Sequence, residues 1–313
     1  MSLYCRSGLS KYAGSLKSGW NSPIALLHSR DRGAVPNSGS GAAAMEGGKE
    51  IIDGVGISYI RSGSGPHPVL CLPGALGSAW TDFKPQLELL SQKEFTIIAW
   101  DPPGYGHSRP PNRDFIGQFL HRDADFALKL MKALKLPKFS MLGWSDGGIT
   151  AMILAAKYPL HIKKCAVWGA NAFILQEEIE TYRKMRDIDT WSEKMKAPLI
   201  ELYGLEYFRT TWENWVDAFD RIYKVDDADI CRKEVKLIQC PLLVLHGDKD
   251  PMVSGQHPKY LLSEVHNCRT YNFPFGKHNI HLRYPEEFNQ VVSEFLLKYV
   301  PGGQYQRIQG EPL

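Results

Sequence analysis

The stretch FSMLGWSDGGI, residues 139–149, decides the fold of this 313-residue chain. Its first four residues are typical of a buried strand, and a helical pattern begins near Gly148. Between strand and helix, Gly143–Gly147 matches the pattern G-x-S-x-G, in which small neighbours leave room for a serine on a tight turn. In this strand–turn–helix context the motif predicts that Ser145 is a nucleophile. A turn serine that only caps the helix is the alternative.

Short apolar runs alternate with helical patterns on both sides of this motif. The predicted strands are Ile51–Asp53, Ile57–Arg61, Val69–Leu72, Phe95–Trp100, Phe139–Trp144, Lys164–Gly169, Pro241–Leu245 and Arg269–Phe273. The predicted helices are Trp80–Leu90, Phe115–Leu134 with its start at Asp114, Gly148–Lys157 and Pro285–Tyr299. This alternation predicts an α/β fold, in which a mostly parallel sheet is covered by helices on both faces.

The alternation is interrupted in the middle of the chain. Residues 172–232 have helical patterns with many aromatic side chains, which predicts a helical cap inserted into an α/β core formed by residues 50–171 and 233–300. The cap carries fourteen acidic and nine basic side chains, a balance that favours cationic over anionic substrates. Residues 1–49 are predicted to be an N-terminal extension, and residues 301–313 a flexible tail.

The N-terminal extension has its own composition. Residues 1–44 carry five basic side chains and one acidic one, and they are rich in Ser and Gly. This composition is typical of a mitochondrial transit segment and predicts a location in the matrix. A cytoplasmic protein with a disordered extension that carries no address is the alternative.

Charge and cysteine content exclude several classes of function. The net charge of +3 is too small to indicate nucleic-acid binding, and no apolar run has the length of a membrane span. None of the six cysteines forms a CxxC pair, so neither a metal site nor a redox motif is predicted. We therefore expect no cofactor and no metal. A monomer is a separate expectation.

A nucleophilic serine needs a base and an acid. In folds with this motif the chain order is Ser, acid, His, and both partners are expected on loops after strands. His278 follows the last predicted strand and is predicted to be the general base, oriented by Asp250 in the preceding strand's loop. Asp248 and His281 are nearby competitors. The acid usually stands three residues after the loop glycine, which selects Asp250, and His281 is expected to be structural.

A tetrahedral oxyanion needs two backbone donors. One is predicted to be the N–H of Asp146, directly after the nucleophile. The other is predicted to be the N–H of Ala75 in the loop PGALG, residues 73–77, which follows a predicted strand. The loop DPPGYGHS, residues 101–108, is expected to be mainly structural.

The side chain of Asp146 is unexpected beside a developing oxyanion. Two like charges about 4 Å apart repel by about 4 kcal/mol at an effective dielectric constant of 20. A substrate ammonium group near the carboxylate removes this penalty, so the sequence favours an α-amino ester as substrate. The alternative is that Asp146 points away and pairs with a Lys or Arg.

Three segments resemble the biphenyl hydrolase-like, or valacyclovir hydrolase, family of the α/β-hydrolase fold. They are residues 144–150 (WSDGGIT), 168–171 (WGAN) and 276–283 (GKHNIHLR). The resemblance extends over about residues 50–298. It implies a mitochondrial serine esterase that cleaves α-amino-acid esters, including prodrug esters, with Asp146 holding the substrate amino group. The family resemblance also implies thiolactone hydrolysis, which is the same acyl chemistry.

Other readings of the same residues remain open. A carbon–carbon bond hydrolase of ring-cleavage products shares this fold and triad, and a non-catalytic binding module is a second alternative. The predicted partner is a small-molecule ester with a free α-amino group. Apolar residues near the strand ends are candidates to line its pocket, although such residues often belong to the core: Leu76, Trp144, Trp168, Phe173 and Ile174.

Overall fold

The computed structural model describes residues 45–298, and eight of its strands form one sheet in the order β1-β2-β4-β3-β5-β6-β7-β8. The strands are β1 Glu46–Ile52, β2 Val55–Ser62, β3 His67–Leu72, β4 Phe95–Trp100, β5 Phe139–Trp144, β6 Ile162–Trp168, β7 Leu242–Gly247 and β8 Cys268–Phe273. The first two pairings, β1 with β2 and β2 with β4, are antiparallel and the others are parallel. The predicted fold class is confirmed.

Helices cover both faces of this sheet. They are α1 Ala79–Leu89, α2 Phe119–Ala133, α3 Asp146–Lys157, α4 Gln176–Lys184, α5 Glu193–Tyr203, α6 Leu205–Val225, α7 Arg232–Val235, α8 Gln256–Glu264, α9 Ile280–Arg283 and α10 Pro285–Leu297. Two separate hydrophobic cores result. Along β3, Leu70 and Leu72 belong to one core and Val69 and Cys71 to the other, because alternate side chains of a strand point to opposite faces.

The N-terminal boundary of the core differs from the prediction. Strand β1 begins at Glu46, which pairs with Arg61 of β2, and Lys49 pairs with Ser58. The predicted boundary between residues 49 and 50 therefore lies inside β1. The start of this edge strand was missed because its first residues are polar or glycine. Such residues fit a strand that has one face open to solvent. The predicted transit segment, residues 1–44, and the predicted tail lie outside the described residues, so both stay predictions.

Helix α2 starts later than the sequence pattern indicates. The predicted start at Asp114 is wrong, because the helix begins at Phe119. Before it, the Ile116 N–H donates to Asp114 Oδ1 and Gly117 has a φ of +61°. When a side chain accepts a hydrogen bond from the backbone N–H two residues later, it stabilises a turn that competes with helix formation.

Three helices, α4 to α6, lie between β6 and β7 in the region predicted to be a cap, and α7 begins at its last residue, Arg232. The longest, α6, buries a row of aromatic side chains at helical spacing: Phe208, Trp212, Trp215 and Phe219. Many of its charged side chains form surface ion pairs within the cap, among them Arg183–Asp220, Arg186–Asp217 and Arg209–Asp189. No helix in residues 45–298 is long and apolar enough to cross a membrane.

Candidate active site

The register of the parallel strands brings four loops to one edge of the sheet. Leu72 at the end of β3 aligns with Gly143, and Trp144 aligns with Trp168 at the end of β6. Because the carboxyl ends of parallel strands meet at one edge, the loops after β3, β5, β7 and β8 lie together there, as ligand sites in open α/β sheets do.

Ser145 lies on a strained turn between β5 and α3. Its φ of 55° and ψ of −123° are unusual for a residue with a side chain. A Cβ on Gly147 would overlap the carbonyl oxygen of Leu72, and one on Gly143 would come within 2.6 Å of the Gly147 oxygen. The two glycines of the motif are therefore required by close backbone approach, and they allow the turn to present the Ser145 hydroxyl at the sheet edge.

His278 connects Ser145 to Asp250. Its Nε2 lies 3.1 Å from Ser145 Oγ, and its Nδ1 lies 2.9 Å from Asp250 Oδ2. The other carboxylate oxygen, Oδ1, accepts hydrogen bonds from the backbone N–H groups of Met252 and Val253, at 2.8 and 3.1 Å. An ionised carboxylate facing Nδ1 favours the tautomer that leaves Nε2 free to accept the serine proton.

The surroundings of Asp250 keep it ionised. Burial alone would raise the pKa of this carboxyl group, but the charge of His278 and the hydrogen bonds from His278, Met252 and Val253 lower it below its ordinary value. The competitor Asp248 is exposed and accepts a hydrogen bond from Asn272 at 2.9 Å. The structure thus brings Asp250, and not Asp248, to the histidine.

His281 and Trp168 belong to the core and not to the site. The indole N–H of Trp168 donates to His281 Nδ1 at 2.9 Å, and both side chains are fully buried. Burial lowers the pKa of His281 to about 3, so this ring is neutral. The prediction that Trp168 lines the pocket is wrong: its ring packs at 6.0 Å from Phe83 and 4.6 Å from Phe288, in the layer of α1 and α10.

The other predicted pocket residues lie in different surroundings. Trp144 is half-buried, and its indole N–H donates to the His278 carbonyl oxygen at 2.9 Å. Phe173 packs edge-on against His257 at the start of the cap, and Ile174 is buried in the core. A role for Trp144, Phe173 and Ile174 in substrate binding stays a prediction.

The loop after β3 approaches the nucleophile closely. A Cβ on Gly74 would lie 3.2 Å from the Ser145 Cβ, and the Gly74 N–H donates to the buried Asp82 at 3.0 Å. Leu76 is buried with a φ of 59°, and its carbonyl oxygen accepts from the Tyr203 hydroxyl at 2.9 Å. The N–H groups of Ala75 and Asp146 have no acceptor within residues 45–298. Both donors are thus available to a ligand.

The Asp146 carboxylate is buried between core and cap. Its Oδ2 accepts a hydrogen bond from the indole N–H of Trp215 at 2.7 Å. Its Oδ1 has no partner in the part of the chain that the structure describes, yet this atom is not fully enclosed by protein. Burial raises the pKa of Asp146 to about 6, against the opposing effects of Trp215, Arg113 and His278. The carboxylate is therefore mainly ionised at neutral pH and has one oxygen open.

Some residues that shape the site were not found by sequence reasoning. Trp215 and Tyr203 lie in the cap, far along the chain from the loops they contact. For Trp215 the available signal was its position on the buried face of an amphipathic helix, which does not identify the residue it contacts. Gly169 has a φ of 57°, and a Cβ there would lie 2.8 Å from the His278 ring. The strand-end position of Gly169 was the available signal. Within residues 45–298, no group of three or more His, Cys, Asp or Glu side chains is arranged to hold a metal ion.

Fold and sequence together define the class of protein. The model of the alpha/beta hydrolase fold family matches residues 67–197. Two solved structures share the fold at low sequence identity. They are the α/β hydrolase MGS-M2 from a Medee basin deep-sea metagenome library (TM-score 0.67, 18% identity, covering 82% of this chain and 100% of that one) and the meta-cleavage product hydrolase CumD from Pseudomonas fluorescens IP01 (TM-score 0.64, 20% identity, 80% and 97%). The chain has the α/β-hydrolase fold.

Two relatives are similar enough to give the family. Serine hydrolase BPHL of Mus musculus is 50% identical over 253 residues, which cover 81% of this chain and 87% of that one. Serine hydrolase BPHL of Homo sapiens is 49% identical over 265 residues, covering 84% and 91%. The chain belongs to the biphenyl hydrolase-like, or valacyclovir hydrolase, family of serine hydrolases.

Proposed function

We propose that this serine hydrolase cleaves carboxylic esters of α-amino acids, with Ser145, His278 and Asp250 as its catalytic triad. The observation that carries the substrate class is the buried Asp146 carboxylate, which adjoins the nucleophile and has one oxygen without a partner among the described residues. The observation that carries the reaction is the chain of hydrogen-bond distances from Asp250 through His278 to Ser145.

Acylation is the first half of the reaction. His278 Nε2 accepts the proton of the Ser145 hydroxyl while Oγ attacks the ester carbonyl carbon. The carbonyl oxygen becomes an oxyanion, which the N–H groups of Ala75 and Asp146 stabilise. The tetrahedral intermediate then collapses, the bond to the leaving alcohol breaks, and His278 gives that alcohol its proton. The product is an aminoacyl ester of Ser145.

Deacylation repeats the same steps with water. His278 Nε2 takes a proton from a water molecule as its oxygen attacks the acyl carbon. The bond to Ser145 Oγ breaks, and His278 returns the proton to the serine. The amino acid leaves and the resting site is restored. A thiolactone of an α-amino acid would react by the same acyl transfer.

Asp146 gives the site its preference for a charged amine. The α-ammonium group of an amino-acid ester is one carbon from the reacting carbonyl, so it can reach a carboxylate that follows the nucleophile. A buried anion without a cationic partner is costly, and a substrate cation relieves this cost. An anionic ring-cleavage product would instead repel Asp146, which argues against the carbon–carbon bond hydrolase alternative.

The reaction is tested by labelling with a fluorophosphonate probe, which reacts with activated serines. The wild-type protein is expected to be labelled, and Ser145→Ala is expected to lose the label without loss of folding by circular dichroism. Folded wild-type protein that remains unlabelled would exclude the triad and leave a binding module.

The substrate class is tested with a matched pair of esters. Valine and N-acetylvaline esters of one alcohol share the side chain and the leaving group, whereas acetylation removes the charge on nitrogen and adds an acetyl group. The ester of 3-methylbutanoic acid, which has no nitrogen and no added bulk, is the control for size. A charge-assisted contact predicts a kcat/KM about 10- to 100-fold higher for the free amine. Equal values for the two esters would rule out amine recognition while leaving the hydrolase chemistry intact.

A further inference from the structure

Trp215 is the cap side chain that contacts the carboxylate next to the nucleophile. It lies in α6, sixty-nine positions along the chain from Asp146, and its indole N–H donates to Asp146 Oδ2 at 2.7 Å. The carboxylate is buried, so this bond is made in a region of low dielectric constant, where a hydrogen bond to a charge is strong. One of the two oxygens of Asp146 is thereby fixed by the cap.

Neighbouring rings hold the Trp215 indole in one orientation. Trp212 stacks on it with ring centroids 4.7 Å apart and planes at 9°, and Phe219 packs at 4.4 Å on the same helix. Tyr182 of α4 adds an edge contact at 5.2 Å. Trp215 is only 3% exposed. An indole packed in this way has a fixed N–H direction, so it acts as a rigid donor.

Among residues 45–298, no basic side chain forms an ion pair with Asp146. Arg113, whose charge acts on Asp146, donates instead to both oxygens of Asp123, at 2.8 and 2.5 Å. The alternative that Asp146 pairs with a Lys or Arg is therefore not observed within residues 45–298. With Oδ2 taken by Trp215, the open oxygen is Oδ1.

We infer that Trp215 is a positioning residue: its indole N–H fixes Asp146 Oδ2 and turns Oδ1 toward the substrate ammonium. This inference rests on the proposed function. It makes amine recognition depend on the cap, because the carboxylate comes from the core and its orientation comes from α6. Without this donor, the carboxylate rotates about its Cβ–Cγ bond and meets the ammonium less often in the productive geometry.

The test compares Trp215→Phe with Trp191→Phe. Both replace a tryptophan of the cap with a smaller ring, and both remove one indole N–H bond, which in Trp191 goes to the Met185 carbonyl oxygen at 2.9 Å. The Trp191 ring packs against Phe208 and Trp212, one ring removed from Trp215. The readout is the ratio of kcat/KM for valine and N-acetylvaline esters. We expect Trp215→Phe to lower this ratio by about tenfold or more, as loss of a hydrogen bond to a charge does. Trp191→Phe is expected to keep the wild-type ratio.

A pH profile separates positioning from a general loss of packing. The groups that act on Asp146 are Trp215 by its hydrogen bond and, by charge or potential charge, Arg113, Asp123, His278, Tyr105 and Tyr182. The Trp215 bond lowers the pKa of Asp146, so its removal raises that pKa. Effects that act on both esters alike cancel in the ratio of their kcat/KM values, so the acid limb of this ratio reports the ionisation of Asp146. This limb should move to higher pH in Trp215→Phe and should stay in place in Trp191→Phe.

A second pair of variants covers the case that Trp215→Phe does not fold. Benzothienylalanine at position 215 keeps the shape of the indole and replaces its N–H by sulfur. Asp146→Asn keeps an acceptor for Trp215 but removes the charge. If Trp215 acts through that charge, the position 215 change has no further effect on the ester ratio in Asp146→Asn.

The outcomes distinguish this inference from the function on which it rests. A wild-type protein without preference for the free amine would overturn the proposed function. A wild-type preference that persists in Trp215→Phe or in the benzothienylalanine variant, with an unmoved acid limb, would overturn the role of Trp215 alone. An equal fall of the ratio in Trp191→Phe would also overturn it, since a general loss of cap packing would then be the cause.

Discussion

The α/β core and the helical cap contribute to the site in different ways. The core supplies every group that the proposed reaction uses, on loops whose positions follow from strand register and tight turns. The cap supplies hydrogen bonds to those loops from aromatic side chains. Tyr203 bonds the loop after β3, Trp215 bonds Asp146, and Tyr182 bonds the Met252 carbonyl oxygen at 3.3 Å beside Asp250.

The reacting groups of the proposed mechanism thus lie in the core, and the side chains that orient them lie in the cap. Changes to the triad residues of the core should reduce turnover of every ester to the same degree, because they act on bond making. Changes in the cap should be smaller, and at Trp215 they should also depend on the substrate. The following predictions test this separation, beginning with the largest expected effect.

Asp250→Asn tests the core. Asn carries no charge and presents an amide that favours the wrong tautomer of His278, so kcat should fall by about 10³- to 10⁴-fold for the amine and the acetylated ester alike. Steady-state kinetics on both esters checks this. Asp248→Asn is the matched control two residues earlier, and it should stay within about twofold, the range usual for an exposed substitution away from the site. A strong loss of kcat in Asp248→Asn would mean that Asp248, and not Asp250, is the acid of the triad.

Asp146→Asn tests whether the buried charge of Asp146, which contacts the cap, destabilises the folded enzyme when no substrate is bound. Burial raises the pKa of Asp146 from 3.8 to about 6. At pH values between these two numbers, the carboxyl group is mainly protonated in the folded protein and mainly ionised in the unfolded chain. The free energy of unfolding therefore falls as pH rises from about 4 to 6, by up to about 3 kcal/mol. Asn keeps an acceptor for Trp215 and has no such cost.

Urea unfolding across pH 4 to 8 measures this effect. The stability gain of Asp146→Asn over wild type should be near zero at pH 4 and should reach a plateau of up to about 3 kcal/mol above pH 7. Ser145→Ala, which retains the carboxylate, should follow the wild-type pH dependence. A gain that does not change with pH would contradict the buried charge.

Tyr203→Phe tests the smallest of these effects, the support of the loop after β3. The Tyr203 hydroxyl donates to Leu76 O at 2.9 Å and accepts from the Gly106 N–H at 2.8 Å, so its loss leaves two buried backbone groups unpaired. Stability should fall by about 1–3 kcal/mol. We expect kcat to fall about tenfold for both esters, the effect of about 1.4 kcal/mol in the transition state.

Tyr207→Phe is the matched control for this prediction. Its hydroxyl makes the same kind of bridge in the neighbouring loop, donating to Gly104 O at 2.6 Å and accepting from the Arg113 N–H at 2.8 Å. Both variants should lose stability, but only Tyr203→Phe should lose turnover. An equal loss of kcat in the two would mean that cap stability, and not the loop after β3, sets the rate.

The core was largely predictable because its signals are local. Strands β4 and β5 have the bounds expected from their apolar runs, and the G-x-S-x-G motif gives both the turn and the serine. Asp250 and His278 follow strands at the same sheet edge, so their proximity follows from topology. Where local patterns failed, as at β1 and at the start of α2, polar residues in an edge strand and a turn at Asp114 were the cause.

The contacts of the cap were not predictable from local patterns. The bond from Trp215 to Asp146 joins residues sixty-nine positions apart, and helical periodicity only identifies a buried face, not its partner. Trp168 shows the opposite limit. It stands at a strand end next to the site, yet its side chain packs in the layer of α1 and α10. The pleat of β6 sets the face of the sheet on which this side chain lies, and the sequence of the strand does not show which face that is.

Position 146 has a further consequence for how such enzymes diversify. Its backbone N–H, which lacks an acceptor in residues 45–298, is present with every amino acid except proline, whereas its carboxylate is not. One nucleotide change can therefore replace the side chain that is proposed to select the substrate, while the proposed oxyanion donor is inherited unchanged. An ancestral enzyme could shift from one class of ester to another in a single step, without passing through an inactive intermediate.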